Sequence, residues 1–160
     1  MGYNPRYVHT NLIAKDWRNL ARFYEEVFDC IPIPPERHIS AEWLSEITGL
    51  EGAALEGIHL RLPGYGESGP TLEIFSYKKP GIHLKHMPND PGFAHIAFGV
   101  DDVRKARLSV LAAGGHDVGQ IVTVEIPKAG EITVVYMADP EGNLIELQCW
   151  SNQEIGINLA

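Results

Sequence analysis

A short pattern occurs twice in this chain, and each copy has a histidine near its start and a glutamate near its end. The first copy opens with Tyr7-Val-His-Thr-Asn-Leu-Ile and closes with Thr71-Leu-Glu-Ile-Phe. The second opens with Phe93-Ala-His-Ile-Ala-Phe and closes with Asn143-Leu-Ile-Glu-Leu. An internal repeat of this kind indicates that the fold is built from two similar modules.

The order of the predicted elements repeats as well. Alternating apolar residues predict a strand at residues 7–13 and another at residues 93–100. Asp16 and Asp102 follow these strands, and each can cap a helix. An amphipathic stripe comes next in each half, formed by Leu20, Phe23, Tyr24 and Val27, and by Val103, Ala106, Val110 and Ala113. Further strands are predicted at residues 54–62, 71–77, 120–126, 131–138 and 144–150.

A chain of 160 residues is most simply one domain, here spanning residues 1–160. Module 1 covers about residues 5–78, a linker covers 79–92, module 2 covers about 93–150, and residues 151–160 form a C-terminal tail. Module 1 carries a helical insertion at about residues 38–50, with Ser40 as its predicted cap. This insertion either forms a wall of a substrate site or covers a sheet edge.

The net charge of −8 argues against nucleic acid or an anionic membrane surface as the main partner. No apolar run approaches the roughly 20 residues of a membrane span, and the N-terminus lacks the apolar region of a secretion signal. Cys30 and Cys149 do not form a Cys-x-x-Cys pair. We therefore expect two reduced thiols in a cytoplasmic protein.

Four side chains are the candidate metal ligands: His9, Glu73, His95 and Glu146. Each stands between apolar neighbours in a predicted strand, where a glutamate is a poor strand former and a lone buried carboxylate is costly. Any one of them could face solvent on a half-exposed sheet. Their matched places in two repeats instead favour a shared divalent metal. Two imidazoles and two carboxylates suit Ni, Co, Mn, Fe(II) or Zn and leave coordination positions open.

The remaining histidines offer no comparable pattern. His38, His59 and His116 have no partner that the sequence identifies. His83 and His86 lie in the linker, where we expect solvated side chains. Tyr65, Trp43, Phe75 and Phe93 could line an apolar pocket, although core packing is the favoured role for the last two.

These residues resemble the vicinal oxygen chelate superfamily, which includes glyoxalase I, bleomycin-resistance proteins and extradiol dioxygenases. The resemblance covers about residues 5–150. It is carried by His9 to Asp16 with Arg22-Phe-Tyr24, by Phe93-Ala-His-Ile-Ala-Phe98, and by Asp139-Pro-Glu-Gly-Asn-Leu-Ile-Glu146. It implies an α+β fold in which two tandem βαβββ modules form a cupped mixed β-sheet around a metal, bound by His9, Glu73, His95 and Glu146.

The resemblance also implies a function. A set of two histidines and two glutamates is similar to that of glyoxalase I, a metal-dependent lyase that acts on vicinal oxygens through a metal-stabilised enediolate. Glu146 or Glu73 would be the catalytic base, and the sequence does not separate them. Ile13 stands where glyoxalase I usually has an arginine that helps to hold glutathione, so the resemblance leaves open whether the substrate contains glutathione.

Two other functions stay open within the same family. An Fe(II) extradiol-type dioxygenase would use His9, His95 and Glu146, and a non-enzymatic binding or resistance protein would need no metal. Family members commonly form homodimers that act on small molecules, and the metal site then lies within one chain or across two.

Overall fold

The computed structural model describes residues 2–82 and 85–151. The chain divides into two compact units, Met1–His83 and Leu84–Ala160, and each contains one copy of the repeat. The linker residue His83 and the tail residues 152–160 lie outside the described residues, so the predictions for them stay predictions.

The first unit contains a four-stranded mixed sheet and two helices. Its elements are β1 (His9–Ile13), α1 (Trp17–Phe28), β2 (Ile31–Ile39), α2 (Glu42–Thr48), β3 (Leu55–Arg61) and β4 (Thr71–Tyr77). The strand order is β1-β4-β3-β2, with β1 parallel to β4 and the other pairs antiparallel. His9 and Glu73 therefore lie on two adjacent strands, although they are far apart in the sequence.

The second unit follows the same plan. Its elements are β5 (His95–Gly99), α3 (Val103–Ala112), β6 (His116–Asp117), β7 (Val122–Ile126), β8 (Gly130–Ala138) and β9 (Leu144–Trp150). Strand β5 is parallel to β9, β8 is antiparallel to β9, and both β6 and β7 pair with β8. The predicted α+β class with mixed sheets is confirmed, and each module forms a sheet of its own.

Helices α1 and α3 each cover one face of the sheet in their own unit. The predicted caps Asp16 and Asp102 are confirmed, because Asp16 accepts a hydrogen bond from the backbone of Asn19 and Asp102 accepts two backbone hydrogen bonds at the start of α3. Helix α1 packs on β3 and β4, and α3 packs on β8 and β9. The buried strand residues include Leu60, Leu72 and Ile74 in the first unit and Met137, Ile145 and Leu147 in the second. Successive side chains of a strand point to opposite faces of the sheet. Glu73 therefore projects from the face of its sheet that α1 does not cover, and Glu146 from the face of its sheet that α3 does not cover.

Strand β2 was not predicted. It contains prolines at positions 32, 34 and 35, which are unfavourable in a strand that has partners on both sides. In the structure, β2 is an edge strand that pairs with β3 through a register shift between Ile33 and Arg37. An edge strand tolerates proline because its outer backbone groups have no partner strand. The first two residues of the predicted insertion, His38 and Ile39, therefore belong to β2.

The insertion helix α2 begins one residue later than predicted. Its N-cap is Ala41, which makes no side-chain cap bond, so the prediction of Ser40 as the cap was wrong. Leu44 is buried with Ala53 and Leu55, against the partly buried Ile39, Phe75 and Tyr77. Since Phe75 shares a sheet face with Glu73, α2 covers part of that face and does more than shield an edge. Trp43 and Ile47 are exposed.

Phe93 does not pack in a core, and this expectation was wrong. Strand β5 begins only at His95, where pairing with Leu144 of β9 starts. Phe93 lies two residues before this pairing starts, and its side chain is fully exposed.

Gly57 allows the ring of Phe75 to lie against β3. A Cβ atom at Gly57 would stand 2.1 Å from the carbonyl oxygen of Ile74 and 2.2 Å from Cδ1 of Phe75. We expect Gly57→Ala to lower the free energy of unfolding by about 1–3 kcal/mol or more, because a backbone atom cannot move aside cheaply. Urea denaturation measures this, with Gly81→Ala as the control because its added Cβ would meet nothing within 4 Å. Equal stability of the two variants would contradict the prediction.

Both cysteines are free thiols, in agreement with the sequence. Cys30 is buried, and burial is the main cause that raises the pKa of its thiol to about 12. Within the described part of the chain, no helix is long and apolar enough to span a membrane.

Candidate metal centre

The first predicted ligand pair is formed by strands β1 and β4. In their parallel register His9 lies opposite Thr71, and Asn11 lies opposite Glu73. Nε2 of His9 is 3.4 Å from Oε2 of Glu73, and the side chains are 42% and 12% exposed. The carboxylate is thus largely withdrawn from solvent, and its imidazole partner compensates part of that cost.

The second pair repeats this geometry on β5 and β9. His95 lies opposite Leu144, and Ala97 lies opposite Glu146, which is the same two-residue offset as in the first unit. Nε2 of His95 is 3.1 Å from Oε2 of Glu146, and the side chains are 30% and 15% exposed. Each glutamate therefore faces the histidine of its own unit.

The donor set of each pair fits a divalent metal. A metal about 2.0–2.1 Å from imidazole nitrogen and about 2.0–2.2 Å from carboxylate oxygen places those atoms roughly 2.8–3.5 Å apart, for bond angles near 90–110°. The observed separations of 3.4 and 3.1 Å lie within this range. Among residues 2–82 and 85–151, no group of three or more His, Cys, Asp or Glu side chains is arranged to hold a metal. That all four ligands bind one cation stays a prediction.

His59 is a partner of Glu73 that the sequence did not identify. It lies directly opposite Glu73 in the β3–β4 register, and its Nε2 is 3.1 Å from Oε1 of Glu73. Burial lowers the pKa of His59, the Glu73 carboxylate opposes that effect, and Arg37 and His9 add to the lowering. The side chain is therefore predominantly neutral near pH 7 and has one N–H to donate.

Tyr136 takes the same position in the second unit. It lies opposite Glu146 in the β8–β9 register, and its hydroxyl forms a hydrogen bond with the Glu146 carboxylate. Burial, followed by the charge of Glu146, raises the pKa of Tyr136, so the hydroxyl keeps its proton and acts as a donor. The ring of His95 packs against that of Tyr136, with centroids 4.9 Å apart.

An apolar groove borders Glu146 in the second unit. It has a volume of about 590 Å³ and is walled by β7, β8 and the end of β9. Its apolar lining includes Val122, Val124, Ile126, Val134 and Trp150, and its polar end includes Tyr136 and Glu146. This volume lies within the range of small-molecule sites.

A buried turn sets the start of the strand that carries Glu146. Asp139 is fully buried, and its carboxylate accepts hydrogen bonds from the backbone of Glu141 and from both the backbone and side-chain amides of Asn143. Strand β9 begins at the next residue, Leu144. The Asp-Pro-Glu-Gly turn therefore leads directly into the strand from which Glu146 projects.

The other candidate residues lie elsewhere in their units. His38 is exposed and contacts Glu36 and Glu56, at 3.5 and 3.6 Å. His86 lies 3.9 Å from Asp90, and His116 is exposed in β6. Tyr65 is 37% exposed in the loop before β4. Phe75 of the predicted aromatic wall lies beside the centre, since its ring centroid is 5.8 Å from that of His59.

Comparison with known proteins identifies the family. Residues 6–147 match the family model for the glyoxalase/bleomycin resistance protein/dioxygenase superfamily. The chain is 27% identical over 147 residues to a probable lactoylglutathione lyase of Vibrio parahaemolyticus, and the match covers 90% of both chains.

Two solved structures show the same fold. A glyoxalase family protein from Bacillus cereus has a TM-score of 0.80 at 20% identity, over 93% of this chain and 96% of its own. A variant of the fosfomycin resistance protein FosX from Listeria monocytogenes, in complex with Mn(II) and 1S,2S-dihydroxypropylphosphonic acid, has a TM-score of 0.53 at 17% identity, over 92% of this chain and 93% of its own. The chain belongs to the glyoxalase/bleomycin resistance protein/dioxygenase superfamily.

Proposed function

We propose that this protein is a divalent-metal-dependent lyase or isomerase of the glyoxalase I type, which binds its metal through His9, Glu73, His95 and Glu146. The observation that carries the proposal is the duplicated His–Glu pair, at the same strand offset in both units and at separations of 3.4 and 3.1 Å. In keeping with the family, we further propose that it acts in the cytoplasm as a homodimer.

The ligand set defines a substrate class. When bound, a divalent metal of the Ni, Co, Zn, Mn or Fe(II) type supplies Lewis-acid polarisation of two neighbouring substrate oxygens. The groove beside Glu146 then accepts the apolar part of the substrate, since its walls are mainly aliphatic side chains. We therefore propose a small molecule with vicinal oxygens and an apolar substituent.

Glu146 is the proposed proton-transfer group. Its carboxylate borders the groove, and Tyr136 donates a hydrogen bond to it. In the proposed reaction, Glu146 accepts the proton from the carbon next to a carbonyl and returns it to the neighbouring carbon, so the substrate is isomerised without an external reductant. Glu73 has a histidine at each oxygen, which supports a fixed role for it.

The substrate need not contain glutathione. The similarity to a probable lactoylglutathione lyase supports a glutathione adduct. However, Ile13 lies opposite Phe75 and is 46% exposed, so an apolar surface stands where glyoxalase I usually has an arginine. A direct comparison of glutathione adducts with simple α-hydroxy carbonyl compounds separates these two substrate classes.

The test is a substrate screen with protein that has been stripped of metal and reloaded with Ni²⁺, Co²⁺, Zn²⁺, Mn²⁺ or Fe²⁺. We expect isomerisation of an α-hydroxy carbonyl compound or of a hemithioacetal, dependent on the added metal and abolished by a chelator. Absence of metal binding by the purified protein would overturn the proposal.

The second candidate is an Fe(II) extradiol-type dioxygenase. It is favoured by the contact between His59 and Oε1 of Glu73. If His59 held the Glu73 carboxylate away from the metal, His9, His95 and Glu146 would form a two-histidine, one-carboxylate set. Oxygen uptake with a catechol, dependent on Fe²⁺ and retained in Glu73→Gln, would support this candidate over the first.

A further inference from the structure

The two carboxylate oxygens of Glu73 face different imidazoles. Oε2 lies 3.4 Å from His9 on one neighbouring strand, whereas Oε1 lies 3.1 Å from His59 on the other. Each of these distances fits either a hydrogen bond or a shared metal ion. The surroundings of the two histidines are therefore needed to assign their roles.

The surroundings of His59 favour a fixed hydrogen-bond donor. Its side chain is 22% exposed, against 42% for His9, and its ring packs edge-on against Phe75. Because an ionised carboxylate only accepts hydrogen bonds, the contact with Glu73 requires a proton on Nε2 of His59. Nδ1 then accepts, and the hydroxyl of Thr71 lies 3.5 Å from it as a possible donor.

The repeat supports the same assignment. Tyr136 occupies in the second unit the cross-strand position that His59 occupies in the first, directly opposite the repeated glutamate. Its hydroxyl is a hydrogen-bond donor to Glu146. What the two units share at this position is therefore a donor to the carboxylate, and not an additional imidazole for the metal.

We propose that His59 is a positioning residue that holds Oε1 of Glu73 through its Nε2–H, so that Oε2 is presented together with His9 to the metal. This inference rests on the proposed function, in which Glu73 is a metal ligand. Hydrogen bonds to ligating carboxylates orient the ligand, and their loss typically weakens metal binding about 10–100-fold.

The experiment compares Co²⁺ affinity among variants by competition with a chromophoric chelator. We expect His59→Leu to weaken Co²⁺ binding about 10–100-fold and to alter the visible absorption of bound Co²⁺. His59→Gln should recover most of the affinity, because the glutamine amide can donate to Oε1 in place of Nε2–H. His38→Leu is the matched control, since His38 lies on the neighbouring strand β2 but contacts Glu36 and Glu56.

A second measurement requires no metal. Nitrogen-15 NMR of the metal-free protein should show His59 as the Nε2–H tautomer, and an Nδ1–H tautomer would overturn the inference. Unchanged Co²⁺ affinity in His59→Leu would overturn it as well. Equal loss of affinity in the Leu and Gln variants would identify His59 as a ligand and not a positioning residue. Failure of the unaltered protein to bind Co²⁺ would instead refute the proposed function itself.

Discussion

Replacement of Glu146 with glutamine is expected to lower kcat by about 10²–10⁴-fold at saturating metal, because the amide cannot accept the substrate proton. The position of Glu146 beside the apolar groove, with Tyr136 as its hydrogen-bond donor, is the reason for this expectation. The measurement is the rate of isomerisation of the substrate found in the metal-reloaded screen, with bound metal quantified in the same samples.

Two comparisons make this result specific. Glu131→Gln is the control, since Glu131 is an exposed glutamate of the same sheet and should leave kcat unchanged. Glu73→Gln should weaken metal binding but retain more of kcat than Glu146→Gln once the metal is saturating. The assignment of the base to Glu146 would be wrong if Glu73→Gln caused the larger fall in kcat under those conditions.

Loss of either repeated histidine is expected to have the largest effect on metal binding. His9→Leu and His95→Leu should each weaken Co²⁺ binding by more than about 100-fold, because a ligand atom is removed instead of a group that only orients a ligand. Isothermal titration of metal-free protein measures both the affinity and the number of ions bound per chain. His116→Leu is the control, because His116 is exposed in β6 of the second unit.

The same titration tests whether the two halves serve one ion. A single shared ion predicts one Co²⁺ per chain and a comparable loss in both variants. If each unit held its own ion, the unaltered protein would bind two per chain, and each variant would retain one. That second outcome would refute the four-ligand site while leaving the two His–Glu pairs intact.

The order of elements was readable from the sequence because its signals are local. Asp16 and Asp102 begin helices by capping backbone groups within the next few residues, and the alternation around His9 and His95 follows from the period of a strand. The edge strand β2 was missed because its prolines are unfavourable in a strand with partners on both sides. Whether a strand lies at an edge is set by sheet order, which no local pattern records.

The role of His59 was hidden for a related reason. Predicted strands 54–62 and 71–77 were both correct in outline, but the glycine-rich loop between them does not fix their register. A shift of one residue would move His59 to the other face of the sheet. Only the observed register, which places His59 directly opposite Glu73, shows that it has a partner.

The sequence by itself determined that the chain is a repeat of two α+β modules, and it singled out four ionisable side chains that stand among mainly apolar strand residues. It could do so because helix caps, strand alternation and the placement of carboxylates among apolar residues act over a few neighbouring positions. The tertiary structure decided which atoms face each other: His9 and His59 on opposite oxygens of Glu73, and His95 with Tyr136 around Glu146. Those contacts depend on strand order and register, which arise from packing between segments far apart in the chain.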